Sequence, residues 1–150
     1  MPNTEGALAG VKILDLTDER AIYGAKLMAD MGADVVRPEP PEGDPLRARG
    51  PHRAADDGMT SLWHRYFASN RRAFKVDPAT EAGLAQLQQL ATAADIVLTC
   101  MPGFATDALD VDAALAANPG LVCVETSSFG ADGPWRDFQA PDLVAGALGG

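Results

Sequence analysis

The residues with the clearest chemical potential form a basic window between Arg47 and Lys75. The chain has 150 residues and a net charge of −9, yet this window has only two carboxylates, Asp56 and Asp57. Its seven cations are Arg47, Arg49, Arg53, Arg65, Arg71, Arg72 and Lys75. The window therefore has an excess of five positive charges, and the other residues carry −14. A solvated loop would explain an ordinary charge run, but this concentration favours a site for a small polyanion such as a phosphorylated cofactor.

Motifs for other phosphate or acyl chemistry are missing from the sequence. The segment after the first apolar run, Leu16 to Arg20, has no GxGxxG, and the chain contains no GxxxxGK[ST] loop. The usual fingerprints of NAD binding and of ATP or GTP hydrolysis are therefore absent. Ser127 and Ser128 are not part of a GxSxG nucleophile elbow. His52 and His64 each lie beside an arginine, which disfavours a charged imidazole, so we predict that both are structural or surface residues.

Composition excludes several classes of protein. A transmembrane segment is not expected, because no apolar run approaches the roughly 18 to 20 residues needed to cross a bilayer. A secretory signal is not expected either, because the first ten residues have no basic segment before an apolar stretch. The acidic balance argues against general nucleic-acid binding. Cys100 and Cys123 are isolated cysteines without CxxC spacing, a pattern typical of a reduced protein of the cytoplasm. Two cysteines alone cannot form a four-ligand metal site.

The elements that must position these residues alternate between strands and helices. Five short apolar runs predict strands at 11–16, 33–37, 73–76, 95–99 and 121–126. Helices are predicted after Thr17 and Asp18, and over 59–69, 80–94, 112–117 and 142–148. The prolines from Pro38 onward predict the end of the second strand and a surface loop up to residue 51. Apolar strands alternating with helices indicate an α/β fold with a doubly wound, mostly parallel sheet.

Two of the predicted helices have a defined apolar stripe. The first helix is expected to bury Gly24, Leu27, Met28 and Met31, which recur at helical spacing, and to end at Gly32. The helix over 80–94 is expected to bury Leu84, Leu87, Ala91 and Ala94.

Six stretches of the chain together resemble the N-terminal part of the class III coenzyme A transferases. They are VKILDLT, GADVVRPEPPEGDPLR, NRRAFKVD, ADIVLTCMPG, NPGLVCVETSSFGADGPWRD and PDLVAGALGG, and they occur in the order and spacing of that family from about residue 10 to residue 150. The family includes formyl-CoA transferase, carnitine-CoA transferase and α-methylacyl-CoA racemase. The resemblance implies a Rossmann-like α/β portion, incomplete at residues 1–150, of a longer enzyme that forms an interlocked homodimer.

The resemblance also implies the ligands and the residues that hold them. Coenzyme A or acyl-CoA and a small carboxylic acid are the expected substrates, with no metal, nucleic acid or membrane partner. The positions that match CoA-contacting segments of the family are Pro40, Arg71, Arg72, Ala73, Phe74, Lys75, Val76, Cys100, Met101, Pro141 and Asp142.

Two segments of the chain depart from the family pattern. Thr99, Cys100 and Met101 replace a Glu, Asn, Phe sequence, and the segment from Arg20 to Tyr23 replaces the usual start of the first helix, each with one residue fewer. The catalytic aspartate of the family is expected beyond residue 150, so we assign no catalytic residue here.

Two alternatives to a CoA-transferase remain open from the sequence. One is a non-catalytic CoA-binding or assembly module, derived from a truncated homologue. The other is an acyl-CoA racemase, which Pro141 disfavours, because it stands where that branch has a histidine base. Asp142 follows this proline, and we predict that it lies in the first turn of a helix rather than acting as a nucleophile.

Overall fold

Five parallel strands form the main sheet of the molecule. The computed structural model describes residues 6–55, 58–106, 108–138 and 140–149. The strands are β1 (Lys12–Leu16), β2 (Asp34–Glu39), β5 (Arg72–Lys75), β6 (Ile96–Met101) and β7 (Val122–Ser127). Their spatial order is β5, β2, β1, β6, β7, and every neighbouring pair is parallel. The predicted α/β class with a parallel sheet is confirmed.

Helices and one hairpin connect these strands. The helices are α1 (Ile22–Asp30), α2 (Leu62–Phe67), α3 (Glu81–Ala93), α4 (Val111–Ala117) and α5 (Asp142–Gly149). Between β2 and α2 lie a 3-10 helix (Pro45–Ala48) and the antiparallel hairpin of β3 (His52–Ala55) and β4 (Gly58–Ser61). Side chains cap several helices: Thr80 accepts a hydrogen bond from the Gly83 amide, and Asp110 accepts one from the Ala113 amide.

Apolar side chains cover both faces of the sheet. On one face, Leu14, Leu16 and Val97 pack with Leu87 and Ala91 of α3. On the other face, the cluster contains Ile13, Val35 and Leu98 together with Ala25 and Ala29 of α1. Because side chains alternate along a strand, β1 directs Ile13 to the α1 face and Leu14 to the α3 face. This arrangement confirms the doubly wound pattern.

The buried face of α1 differs from the predicted stripe. The helix buries Ile22, Ala25 and Ala29, whereas Leu27 and Met31 remain 42% and 45% exposed. Of the other predicted residues, Gly24 is exposed, whereas Met28 is half-buried and packs against the cluster on this face. Small alanine side chains permit a close approach of the helix to the sheet. The stripe predicted for α3 is confirmed at Leu87, Ala91 and Ala94, which are buried.

The predicted boundaries around β2 were also wrong. The strand continues through Pro38 to Glu39, because β1 pairs with β2 only as far as Val36 and β5 alone pairs beyond it. A strand segment paired on one side admits a proline. The expected helix over 59–69 begins at Leu62, since residues 59–61 belong to β4.

The carboxyl-terminal elements are more exposed than the rest. Strand β7 forms an edge of the sheet, and Val122 and Val124 are both exposed. Helix α5 has no buried residue within its described part. None of the described helices has the length and apolar character that a membrane span requires.

Packing between α3 and the sheet predicts a large cost for truncating Leu87. This side chain is fully buried in the core cluster on the α3 face. We expect Leu87→Ala to lower the free energy of unfolding by about 2–5 kcal/mol, measured by urea denaturation. Leu115→Ala is the matched control, because Leu115 is an exposed leucine on α4. Equal losses from both variants would contradict this packing.

Candidate functional site

The strands of the main sheet all end at one edge, which we call the carboxyl edge. It is formed by Leu16, Glu39, Lys75, Met101 and Ser127. The chain runs outward from β1 through β2 to β5 and returns to β6 on the other side of β1. The segments that follow β1 and β6 lead to α1 and α4 on opposite faces of the sheet, and we call the space between these two segments the switch crevice. Open α/β sheets bind ligands in a crevice at this position.

The structure places several predicted cofactor residues at the carboxyl edge. Lys75 ends β5 and Val76 follows it, Pro40 follows β2, and Cys100 and Met101 end β6. These five residues therefore share one edge, although the sequence separates them by up to 61 positions.

The other predicted residues lie elsewhere. Ala73 and Phe74 are in the middle of β5, and Arg71 and Arg72 are at its amino end. Pro141 and Asp142 are at the start of α5, and no hydrogen bond or ion pair of the described residues joins them to the carboxyl edge. Asp142 lies in the first turn of α5, as predicted.

A buried carboxylate, Asp15, organises the sheet beneath the carboxyl edge. It is fully buried on β1 and accepts hydrogen bonds from the amide and hydroxyl of Thr17, at 3.0 and 2.6 Å. Arg37 lies 3.1 Å from it, and Arg71 forms a second ion pair with it. Arg37 also donates to the Thr17 carbonyl. Two guanidinium groups therefore compensate one buried charge.

The same network extends to Asp44 in the loop after β2. Arg37 Nε donates to Asp44 at 2.8 Å, and the Leu46 amide donates to it at 2.9 Å. Burial opposes ionisation of Asp44, but the nearby His64 imidazole and the hydrogen bond and charge of Arg37 hold its pKa well below its usual range. Asp44 is therefore a charged link between β2 and its loop.

Most of the basic window is neutralised by carboxylates outside it. Arg47 pairs with Glu39, Arg49 with Glu19, Arg71 with Asp15, and Arg72 with Asp34. Within the described residues, the cations of the window that form no ion pair are Arg53, Arg65 and Lys75. The concentrated field predicted from the sequence is therefore weaker in the fold.

Lys75 differs from the two arginines that precede its strand. Its exposed ammonium donates to the carbonyl of Pro41 at 2.6 Å, next to the predicted residue Pro40. The Arg71 side chain is only 1% exposed and burial lowers its pKa, while Arg72 holds Asp34 at 2.7 Å. Lys75 is thus the cation of this group that an incoming phosphate reaches without breaking an ion pair. Contact of Arg71 and Arg72 with a cofactor stays a prediction.

His64 has a carboxylate neighbour that local sequence did not reveal. Its Nε2 lies 3.6 Å from Asp44 and forms no hydrogen bond with the described residues, whereas its amide donates to Ser61. The ligand atoms of Glu39, Asp44 and His64 lie within 4.8 Å of one another, a spacing compatible with a metal. Arg37 and Arg47 already bond to these carboxylates, so the charge balance favours an internal ion network.

A single arginine bridges the switch crevice. Arg20 forms a fork with Asp18, in which Nε donates to Oδ1 at 3.0 Å and Nη2 donates to Oδ2 at 2.7 Å. The same guanidinium donates to the carbonyls of Met101 and Pro102 at 2.8 and 2.7 Å. Burial opposes ionisation of Asp18, but the hydrogen bonds from Arg20 lower its pKa. The turn after β1 is therefore joined to the loop after β6.

Cys100 lies beneath this bridge as a protonated thiol. It is fully buried, and its Sγ accepts a hydrogen bond from the Asp18 amide at 3.5 Å. Burial raises the pKa of the thiol to about 11. Because the thiolate is the nucleophile, Cys100 is a packing residue rather than a reactive group at neutral pH.

Comparison with known proteins identifies relatives across nearly the whole chain. Residues 8–150 match the family model described as CoA-transferase family III. The chain is 35% identical over 142 residues to succinyl-CoA:(R)-benzylsuccinate CoA-transferase subunit BbsE of Thauera aromatica, covering 93% of this chain and 35% of that protein. It is also 35% identical over 147 residues to formyl-CoA:oxalate CoA-transferase of Streptomyces avermitilis, covering 96% and 35%.

Solved structures show the same fold. A CAIB/BAIF family protein from Brucella suis superposes with a TM-score of 0.85 at 26% identity, covering 96% of this chain and 39% of that one. The hypothetical protein Rv3272 from Mycobacterium tuberculosis gives a TM-score of 0.76 at 27% identity, covering 97% and 40%. The chain therefore spans well under half the length of the proteins that it matches.

The ion network predicts that Arg37 is critical for folding. Arg37→Leu leaves Asp44 and Asp15 buried with fewer compensating charges, and we expect it to lower the free energy of unfolding by about 3–5 kcal/mol. Arg72→Leu removes an exposed ion pair, for which we expect a loss of about 1 kcal/mol or less. Urea denaturation of both variants tests this difference. A small loss from Arg37→Leu would show that the buried network is dispensable.

The two cysteines predict different reactivities toward a thiol reagent. Cys123 is exposed, whereas Cys100 is buried with a strongly raised pKa. At neutral pH we expect iodoacetamide to modify Cys123 at least about tenfold faster than Cys100, as followed by peptide mass spectrometry. Complete unfolding in denaturant should remove most of the difference. Equal rates in the native protein would contradict the burial of Cys100.

Proposed function

The chain belongs to CoA-transferase family III, and we propose that it is the N-terminal, coenzyme A-binding part of an enzyme that transfers CoA from an acyl-CoA to a carboxylate acceptor. The match over residues 8–150 carries the proposal. CoA transfer is the activity that the names of the two relatives share, although their acceptors differ.

Transfer through an enzyme carboxylate explains why such a protein needs a well-held CoA. In the proposed reaction, an aspartate oxygen attacks the thioester carbonyl carbon, the carbon–sulfur bond breaks, and CoA leaves as its thiolate. The acyl group then remains on the enzyme as a mixed anhydride, so one difficult exchange is divided into covalent steps. We place this aspartate outside residues 1–150. The present residues bind and orient CoA.

The carboxyl edge supports the binding part of the proposal. CoA carries a 3′-phosphate and a diphosphate, which require cations and backbone donors. Lys75 is the exposed last residue of β5, and its ammonium donates to the Pro41 carbonyl, beside Pro40. Val76 follows Lys75 directly in the chain. Cys100 and Met101 form the end of β6 on the far side of β1. We therefore assign the phosphates to the β2 and β5 ends of the edge.

The remaining predicted residues have supporting roles in this proposal. Arg71 and Arg72 anchor the amino end of β5 through their ion pairs, and Ala73 and Phe74 continue that strand toward Lys75. Pro141 and Asp142 begin α5, and we propose that they approach the acyl group in the whole enzyme.

The family resemblance extends the proposal to assembly and location. We propose that the whole enzyme is an interlocked homodimer of the cytoplasm that acts on acyl-CoA and a small carboxylic acid. A non-catalytic CoA-binding module is the competing function. It would bind CoA in the whole protein but catalyse no exchange, so turnover separates the two.

Lys75 provides the test of phosphate binding. In the full-length protein, we expect Lys75→Ala to raise the Kd for CoA by about three- to tenfold, measured by calorimetric titration, because it removes a charge-assisted contact. Lys12→Ala is the matched control, because Lys12 is exposed at the amino end of β1, away from the carboxyl edge.

Titration with 3′-dephospho-CoA identifies the phosphate involved. If Lys75 binds the 3′-phosphate, Lys75→Ala raises the Kd for CoA but not the Kd for 3′-dephospho-CoA. If Lys75 binds the diphosphate, the variant raises the Kd for both ligands. Absence of CoA binding by the unaltered protein would overturn the proposed function. Equal effects of Lys75→Ala and Lys12→Ala would remove Lys75 from the site.

A further inference from the structure

Arg20 occupies the position where an open α/β sheet receives its ligand. Strands are added on one side of β1 up to β5 and on the other side from β6 onward, so the strand order reverses between β1 and β6. The Arg20 guanidinium lies across the ends of these two parallel strands. Its side chain is 26% exposed, so it is part of the surface at the switch crevice. A ligand bound in the crevice must therefore lie against Arg20 or displace it.

The hydrogen bonds of Arg20 indicate that its side chain stays in place when a ligand binds and is not moved aside. Asp18 accepts two parallel hydrogen bonds from the guanidinium, from Nε to Oδ1 and from Nη2 to Oδ2, and the backbone carbonyls of Met101 and Pro102 accept others. The backbone amide of Arg20 also donates to Asp18, at 2.9 Å. Bidentate arginine–carboxylate pairs restrict geometry as well as adding stability. Displacing the guanidinium would break several charge-assisted hydrogen bonds at once.

The bridge holds the point where β6 passes into its loop. Met101 is the last residue of β6 and pairs with Ser127 of β7, and Pro102 begins the segment that leads to α4. The carbonyl groups of Met101 and Pro102 are held by Arg20 from the opposite side of the crevice. Without this contact, the Asp18 amide and the Cys100 thiol would form a weaker link between the same two segments.

Resting on the proposed function, we propose that Arg20 is a positioning residue: together with Asp18 it holds the end of β6 and the start of its loop, at Met101 and Pro102, as a preformed wall of the switch crevice, against which CoA binds. The ordering of the loop is then complete before the ligand arrives. Preorganisation of this kind raises affinity because binding does not have to immobilise the loop. Loss of the bridge should therefore weaken CoA binding and loosen the loop without unfolding the sheet.

The experiment compares Arg20→Ala with Arg136→Ala in the full-length protein carrying Cys123→Ser. Arg136 is an exposed arginine whose ion partner is its neighbour Asp137. We expect Arg20→Ala to raise the Kd for CoA by about tenfold, because binding must then immobilise a segment that the bridge no longer holds. It should also make Cys100 react several times faster with iodoacetamide, while the thermal unfolding midpoint stays close to that of the parent. Arg136→Ala should change neither binding nor labelling.

Asp18→Asn tests whether the two side chains act as one unit. If they do, the Asp18→Asn, Arg20→Ala double variant binds CoA no more weakly than Arg20→Ala alone, whereas independent effects would multiply. Arg20→Lys retains the charge without the fork, so it should give an intermediate Kd. If Arg20→Ala lowers the unfolding midpoint, the Kd for CoA of Arg20→Lys tests the proposal instead. An unchanged Kd in Arg20→Lys would then overturn the role of Arg20.

The outcomes separate this proposal from the proposed function. No CoA binding by the parent protein removes the proposed function. Binding by the parent with an unchanged Kd in Arg20→Ala overturns only the role of Arg20. Tighter binding by Arg20→Ala also overturns it, because Arg20 would then obstruct the crevice.

Discussion

The structure depends on a carboxylate that the fold buries completely. Asp15 is the last residue but one of β1 and is fully buried. An isolated charge there would lower the stability of the fold severely. Arg37 from β2 and Arg71 from the segment before β5 supply the compensating charges. These contacts join positions 22 and 56 residues away in sequence. One buried charge therefore ties together the three strands on one side of the switch crevice.

This constraint determines which cations remain at the surface. A sequence rich in arginine between positions 47 and 75 suggests a strong positive patch, but the fold uses four of these arginines in ion pairs with carboxylates elsewhere in the chain. The free positive charge at the surface is consequently lower than the composition of the basic window implies. A phosphate ligand must then rely on a few well-placed groups, such as Lys75, rather than on a general attractive field.

Local sequence patterns predicted the sheet more accurately than the details around it. Continuous apolar runs identified β1, β6 and β7 because their signal lies within the strand itself. The packing face of α1 was misassigned because helical spacing alone does not distinguish a small-residue face from a large-residue face. The hairpin of β3 and β4 was missed for lack of a clear alternating pattern. The partners of Asp15 and His64 come from distant positions, so they become visible only in the fold.

The two sides of the switch crevice have different sources of rigidity. On the β2 side, the buried ions around Asp15 and Asp44 hold the strands and the following loop. The apolar layer on the α3 face includes Leu109, with Phe104 packed against it, so the later part of the loop after β6 is held by the core. The turn after β1 and the start of the β6 loop, at Met101 and Pro102, lie at the edge of these layers. Segments beyond the apolar layers need polar contacts for a defined position. Arg20 supplies them across the crevice, so the same chemistry that permits a buried aspartate also shapes the surface where a ligand would bind.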